Sequence, residues 1–431
     1  MLHFLLTPLF VLILALVPID SAWGHAPIPQ EARTVAPTPK QLKEAKAAFK
    51  GFGGTHHERS VAGIRGLVHT FAMPTTVNDA TLKRVPDLPF TFGLQLSLTQ
   101  VTDQGLKELN RLTHLTFLDL SSTQVTDAGL KELKGFPSLV ALHLQYTDVT
   151  DVGLKELKGF ARLTELDLFH IPTVTDDGLK ELRGLTKLAK LNLYGTAVTD
   201  AGLKELKGLT ALTTLDLHAL TITDRGLQEL KGLTELTILD LGRTKITDRG
   251  LQELKGLINL TELCLHATAV TDTGLDELQR LTALTKLDLG RTKISDVGSK
   301  RLKGFAKLTE LNLASTLVTD RGLKEIQGLT KLDWLHLGST EVTGTGLMGF
   351  TNLTLLDLSS TGLIDTGLQD LKGLTHLKYL DLESTKVTDA ALEELKKHKK
   401  LTELNLRGTR VTNAGFKALR AALPRCEITA E

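Results

Sequence analysis

Leu118-Asp-Leu-Ser-Ser-Thr-Gln-Val-Thr-Asp-Ala-Gly-Leu-Lys-Glu-Leu-Lys-Gly-Phe-Pro-Ser-Leu-Val-Ala141 is a 24-residue stretch that returns with little change along most of the 431-residue chain. Its first half alternates apolar and polar residues from Leu118 to Thr123, the period of a strand with one buried face. A turn follows, and Asp127 is placed to cap a short helix in which Leu130, Leu133 and Phe136 recur every third residue on one face. Seven side chains are predicted to point inward: Leu118, Leu120, Val125, Leu130, Leu133, Phe136 and Leu139. Each contributes ~1.5–3 kcal/mol on burial, but every ordered residue costs ~1–2 kcal/mol of backbone entropy. Seven buried side chains cannot order a unit of this length. A single copy is unstable, so copies must stack.

Working outward, strand starts fall at Leu94, Leu118, Leu142, Leu166, Leu191, Leu215, Leu239, Leu263, Leu287, Leu311, Leu335, Leu356, Leu380 and Leu404. These are expected to lie parallel in one sheet with the helices on the other side. A helix needs ~10 Å of lateral room against ~4.8 Å for a strand, so the expected stack curves into a horseshoe with its sheet concave. The recurrent Thr at the sixth position (Thr123, Thr147, Thr196, Thr244, Thr268, Thr292) is expected to bond the backbone of the next copy, and the recurrent Asp at the tenth to cap its helix. Three copies break the pattern. The fourth has an extra residue in Phe169-His170-Ile171-Pro172-Thr173. The eleventh lacks a Lys-Glu-Leu turn and has Gly344 in place of the capping Asp, which predicts a loop on its helical side and a hinge. The last ends at Pro424-Arg425-Cys426-Glu427-Ile428, a C-terminal cap.

The motif Leu-x-Leu-x-x-Thr-x-Val-Thr-Asp-x-Gly-Leu resembles a leucine-rich repeat. It is most similar to the cysteine-containing subtype of F-box-type proteins and of many exported bacterial proteins. The resemblance implies an α/β solenoid with a parallel β-sheet on its concave face and short helices on the convex face, acting as a partner-binding scaffold with no inherent catalysis. The subtype's Cys is mostly Thr here and no F-box precedes the array, so an F-box-like adaptor role is not carried over.

Before the array, residues 1–24 read as a secretory signal peptide: an apolar run over 4–19, then Ala22 and Gly24 as small residues at the cleavage positions. The n-region has His3 but no Lys or Arg, and an uncleaved anchor is the alternative, with a run somewhat short of the ~20 residues a spanning helix needs. Residues 25–39 are a proline-rich linker. Residues 40–93 hold a helix, with Thr38 as its N-cap and Pro39 in its first turn, and a capping repeat with a degenerate strand at 67–72. His56, His57 and Glu58 read as solvated edge residues. The array occupies 94–426 and a tail 427–431.

The formal net charge is +1 and aromatics are 4% of residues. Near-neutrality gives no electrostatic case for nucleic acid. Cys264 and Cys426 stand about six strands apart, roughly 30 Å at ~4.8 Å per strand, too far for a disulfide. Cys426 is expected to be a packed structural thiol.

Function must be sought where the copies differ. The second strand position carries Asp119, Asp167, Asp216, Asp240, Asp288, Asp357 and Asp381, read as a solvated acidic stripe offset by neighbouring Arg and Lys. Positions four and five carry Tyr146, Phe169, His170, Tyr194, His218 and His266, with Arg243 and Arg291 beside Gly242 and Gly290. The glycines are expected to leave shallow gaps next to His266. Large side chains beside gaps on a rigid sheet suit a binding hot spot, and in a chain this poor in aromatics the cluster reads as the partner-binding surface. Trp334, His336, Leu355 and Tyr379 form a secondary patch. Cys264 and His266 near Asp240 and Asp288 superficially match a thiol–imidazole–carboxylate set, but nothing supplies an oxyanion hole. His143 between Asp119 and Asp167 is read as surface charge pairing. No zinc spacing, phosphate-cradling loop or nucleophile elbow occurs.

The sequence therefore predicts an exported, non-enzymatic scaffold that binds a protein or peptide through copies three to nine. It is expected to be monomeric, without cofactor, metal or nucleic acid, and to meet a membrane only through an uncleaved N-terminal segment. The alternatives are a purely structural envelope array and, further off, a thiol-dependent enzyme.

Overall fold

In the computed structural model, which describes residues 35–430, the Thr38 hydroxyl caps helix α1 (Pro39–Gly51) by accepting from the Gln41 N–H. The Gln41 side chain accepts in return from the Thr38 N–H at 2.8 Å, closing a capping box. The buried face of α1 ends at Phe49, which stacks on Phe71 with ring centroids 4.2 Å apart. The apolar segment at 1–24 and most of the proline-rich stretch lie outside the described residues.

Strand β1 (Thr55–Ser60) pairs antiparallel with β2 (Leu67–Ala72), a hairpin that the sequence reading missed because it assigned only β2. From β2 a parallel ladder runs through β3 (Phe92–Gln95), β4 (Leu115–Asp119), β5 (Ala141–His143), β6 (Glu165–Asp167) and β7 (Lys190–Asn192). The boundary between two compact units falls in β8 (Thr214–Asp216). One unit ends at Val198 and takes in Glu205–Leu215; the other holds Thr199–Lys204 and the chain from Asp216. In the second unit β9 (Ile238–Asp240), β10 (Glu262–Cys264), β11 (Lys286–Asp288), β12 (Glu310–Asn312), β13 (Trp334–His336), β14 (Leu355–Asp357), β15 (Tyr379–Asp381) and β16 (Glu403–Asn405) pair in order, all parallel. The fourteen strand starts read from the sequence fall in β3 to β16. Residues read as a tail add one more strand, β17 (Glu427–Thr429), parallel to β16, and Ile428 is buried there.

The core is the predicted one. Leu118, Leu120, Val125, Leu130, Leu133, Phe136 and Leu139 are at most 1% exposed. What joins copy to copy is different from the expectation. The sixth-position hydroxyl turns back on its own copy: Thr123 Oγ1 donates to the Leu120 carbonyl at 2.6 Å, and Thr147, Thr244 and Thr268 do likewise to residues three before them. Nor does Asp127 cap its helix. Thr126, one residue earlier, is the N-cap, its hydroxyl accepting from the Ala128 N–H. The aspartate instead reaches into the next copy, where its two oxygens accept from the N–H and hydroxyl of Thr150, both at 2.7 Å. The same clamp joins Asp224 to Thr247 and Asp248 to Thr271. A third residue completes it. A Cβ on Gly153 would lie 2.4 Å from Asp127 Oδ1, and one on Gly250 would lie 2.5 Å from Asp224 Oδ1. The repeat's glycine is needed there to admit the preceding copy's carboxylate.

The short eleventh copy tests this logic. With Gly344 at the clamp position no carboxylate reaches forward; the Thr343 carbonyl stands against Gly367 in its place, and the next copy has Ile364 where others have the N-cap Thr. Gly344 and Gly346 both take left-handed backbone (φ +105° and +102°) and lead into a single 3-10 turn, Leu347–Gly349, where a full loop was expected. Strands β13 and β14 remain in register through it.

Candidate functional site

The fourth and fifth positions owe their presentation to the turn that ends each strand. Fifth-position residues have φ between 53° and 66° in all copies, among them Tyr146, His170, Arg243 and Arg291 as well as Gly195 and Gly408. Left-handed backbone is unfavourable for such side chains. It persists because it aims the residue's N–H at the next copy, as Arg243 N donates to the His266 carbonyl at 2.7 Å. The second-position carboxylates serve the same turn. Asp119 accepts from the Ser121 N–H, Asp167 from Phe169, Asp240 from Gly242 and Asp288 from Gly290, all at 2.8–2.9 Å. Asn192 and Asn312 do the same with their amide oxygens. The row is thus a series of backbone acceptors; Asp119 and Asp167 are 5% and 2% exposed, so the solvated-stripe reading does not hold for them, whereas Asp240 and Asp288 keep about a third of their side chains, 31%, in solvent.

In the first unit the structure brings four predicted residues together. Phe169 and Tyr194 stack with centroids 4.6 Å apart and planes at 19°. Tyr146 meets Phe169 edge-on at 5.4 Å and lies 5.0 Å from the His170 ring. Tyr146 is 52% exposed, and burial and Tyr194 keep its hydroxyl protonated above the ordinary tyrosine range.

Next to this group lies a network that the sequence did not reveal. The turn after β1 folds onto the strand face, where Val61, Ile64 and Val68 join Phe117, Val140 and Ala141 in one buried cluster. Arg59 stacks over Phe117 at 3.9 Å and its guanidinium donates to Glu165 Oε1 at 3.1 Å. The Ala62 N–H donates to the other oxygen and the Thr164 hydroxyl to the Ala62 carbonyl. His143 Nε2 meets Glu165 Oε1 at 2.7 Å, so its partner is Glu165 and not the flanking aspartates. Burial opposes the charged form of Glu165, but His143 and Arg59 outweigh it and hold the carboxyl at about 2. Burial likewise opposes a charged His143, and Glu165 and Asp167 overcome it to raise the imidazole.

In the second unit His218 Nδ1 lies 3.3 Å from Asp240 and His266 Nδ1 lies 3.7 Å from Asp288. The expected gaps at the glycines are filled. A Cβ on Gly242 would meet His218 Nδ1 at 2.6 Å, and one on Gly290 would meet His266 Nδ1 at 2.9 Å. Each glycine is the berth for the preceding copy's imidazole, and exposed Arg243 and Arg291 project beside the filled berths. Cys264 shares Asp240 with His218, their ligand atoms within 4.8 Å of one another. Burial, then Asp240 and Asp288, push its thiol well above the ordinary range. That is the opposite of an activated nucleophile, and His266 turns to Asp288 instead. Cys264 and Cys426 are both free thiols, and burial raises Cys426 to about 11.

The secondary patch is a row in register: Trp334, Leu355 and Tyr379 are successive partners across β13, β14 and β15. His336 lies 3.8 Å from Asp357, and the Tyr379 hydroxyl donates to Asp381 at 3.1 Å. Burial, chiefly, lifts Asp381 to about 6.

Comparison with protein-family models finds the leucine rich repeat over residues 273–342, and a second leucine rich repeat model over 111–134, 137–158, 233–255, 373–396 and 397–419. The chain is a leucine-rich repeat protein. Comparison with curated proteins finds no match. Among solved structures, the chain is similar to an internalin of Listeria monocytogenes, at 22% identity and a TM-score of 0.52, over 82% of this chain and 92% of that one. It is also similar to a leucine-rich-repeat protein of Leptospira interrogans, again at 22% identity, with a TM-score of 0.51, over 77% of this chain and 95% of that one. These likenesses establish the leucine-rich-repeat solenoid fold. Among the described residues no helix is long and apolar enough to cross a membrane.

Proposed function

We propose that this leucine-rich repeat protein is an exported, non-enzymatic scaffold that captures a protein or peptide partner on its strand face, with Tyr146, Phe169, His170 and Tyr194 as the anchoring group. The observation that carries the reading is the packed aromatic quartet with a half-exposed Tyr146 at its rim. Rigid aromatics lose little side-chain entropy on binding and supply large contact area, which is why they dominate interface hot spots. Within the second unit, His218, Arg243, His266 and Arg291 form a polar, hydrogen-bonding surface of their own, and Trp334, His336 and Tyr379 a secondary one. The raised thiol of Cys264 supports a non-catalytic role. Export rests on the apolar 1–24 segment of the sequence.

The test combines Tyr146→Gly, Phe169→Ala and Tyr194→Ala in one chain. Glycine suits the left-handed backbone at 146 (φ +54°), so the melting temperature is expected to stay within a few degrees of wild type. Affinity capture from secreted and envelope proteins of the source, followed by titration of the captured partner, is expected to lose at least tenfold in affinity. Unchanged affinity refutes the placement, and the lack of any saturable partner for wild type favours a purely structural array.

A further inference from the structure

From the β1–β2 hairpin we infer that His56, Glu58 and His69 form a three-ligand site for a zinc-class divalent cation. The backbone register sets it up. His56 and Glu58 are two residues apart on β1 and so share a face, and Glu58 is paired directly with His69 on β2. Their side chains converge on one point. His56 Nε2 lies 3.2 Å from His69 Nδ1, Glu58 Oε1 lies 3.3 Å from that same nitrogen, and all three ligand atoms are within 4.8 Å of one another.

Hydrogen bonding accounts for this convergence only in part. A neutral imidazole nitrogen carries either a proton or a lone pair. If His69 Nδ1 accepts from His56 it has no proton for Glu58, and if it is protonated it must share one proton between Glu58 and the His56 Nε2 lone pair. A cation among the three satisfies them all. The two distances to His69 Nδ1, 3.2 and 3.3 Å, fit: zinc takes imidazole nitrogen and carboxylate oxygen at ~2.0–2.1 Å in tetrahedral array, which puts neighbouring ligand atoms about 3.3–3.4 Å apart. Two imidazoles and one carboxylate are a borderline donor set, suited to zinc-class ions more than to calcium or magnesium.

The surroundings are those of a built site. The His56 ring lies 5.4 Å from Phe71, and His69 stands edge-on to Phe90 at 6.4 Å. Phe71 and Phe90 are fully buried, giving the imidazoles an apolar floor. Glu58 is exposed, leaving a fourth coordination position open to water. Lys46 opposes an ion here electrostatically and Glu58 favours it. Such an ion would fasten β1 to β2 and so steady Arg59 on β1 and the turn that carries Ile64 onto the strand face.

The experiment uses the full chain without a histidine tag, stripped with a chelator and titrated with cobalt(II) and then zinc(II). The expected result is the visible absorption of tetrahedral cobalt at one equivalent, its displacement by zinc, and a zinc-dependent rise in melting temperature. His56→Gln and His69→Gln are each expected to weaken uptake at least tenfold. Glu58→Gln changes an exposed residue, so it keeps the test independent of folding; it is expected to lose affinity while circular dichroism stays that of wild type. Absence of a tetrahedral cobalt spectrum overturns the inference. So does uptake indifferent to all three substitutions, or uptake showing only a thiolate charge-transfer band that Cys264→Ser abolishes, which would place the ion at His218, Asp240 and Cys264 instead.

Discussion

Glu165→Gln removes one negative charge from a site where Arg59 and His143 converge, and it leaves shape and volume nearly unchanged. The carboxyl sits at about 2, against 4.5 for an ordinary glutamate. At about 1.4 kcal/mol per tenfold change in proton affinity, the difference corresponds to about 3 kcal/mol. That agrees with the ~3–5 kcal/mol typical of breaking one side of a buried ion pair. The sign follows from which form the fold prefers. A depressed glutamate contributes stability that is fully present above 4.5 and is lost as pH falls toward about 2. A raised histidine contributes stability that is fully present below 6.5 and is lost as pH rises through its folded value. Wild type should therefore exceed the variant most between 4.5 and 6.5, with the gap narrowing on both sides. Because repeat arrays open locally, the assay is hydrogen exchange of the peptide spanning residues 59–64, with urea titrations from pH 3 to 8. A gap below about 1 kcal/mol in the middle of that range, or one of the same size at pH 3, refutes the reasoning.

Asp224→Ala should cost about 2 kcal/mol by freeing both the N–H and the hydroxyl of Thr247. Gly250→Ala should cost about 1–3 kcal/mol by overpacking against Asp224 Oδ1. The double variant should cost clearly less than the two together, because removing the carboxylate makes the room the methyl needs; additive denaturation midpoints would refute the interlock. Thiol labelling should be slow at pH 8 for both cysteines, and Asp240→Asn should accelerate Cys264 without affecting Cys426, since Asp240 raises only the former. Equal rates in wild type and variant, followed by mass spectrometry, would refute that assignment.

What could be read in the sequence was what one copy decides for itself. Leu118, Leu120 and Leu130 are buried by a local period, and Thr38 and Pro39 announce a helix start in their own neighbourhood. The aspartate at the tenth position was visible but misassigned, because its partners, Thr150 for Asp127, lie 23 residues on in another copy. The second-position row carried a readable signal: Asn192 and Asn312 replace Asp there, which marks an acceptor and not a charge. Gly242 and Gly290 looked like gaps because the rings that fill them, His218 and His266, belong to the preceding copies. The Arg59–Glu165 contact spans 106 residues and had no local sign. His69 could have been matched to His56 and Glu58 had Gly63 and Gly66, both at positive φ, been taken for the turn of a hairpin.

The Asp-to-Thr clamp makes nearly every junction chemically alike, so the clamp by itself gives a copy no address. During synthesis and folding, one copy's carboxylate fits the threonine of a distant copy as well as that of its true neighbour. The junction after the eleventh copy is the exception. It lacks the clamp's plug and socket: Gly344 supplies no carboxylate and Ile364 no hydroxyl, and the Gly346 N–H donates to Asp370 instead. A copy placed wrongly against either would leave an aspartate facing an isoleucine, or a threonine facing a glycine. One pair of residues thereby sets this junction apart from all those that the clamp makes alike.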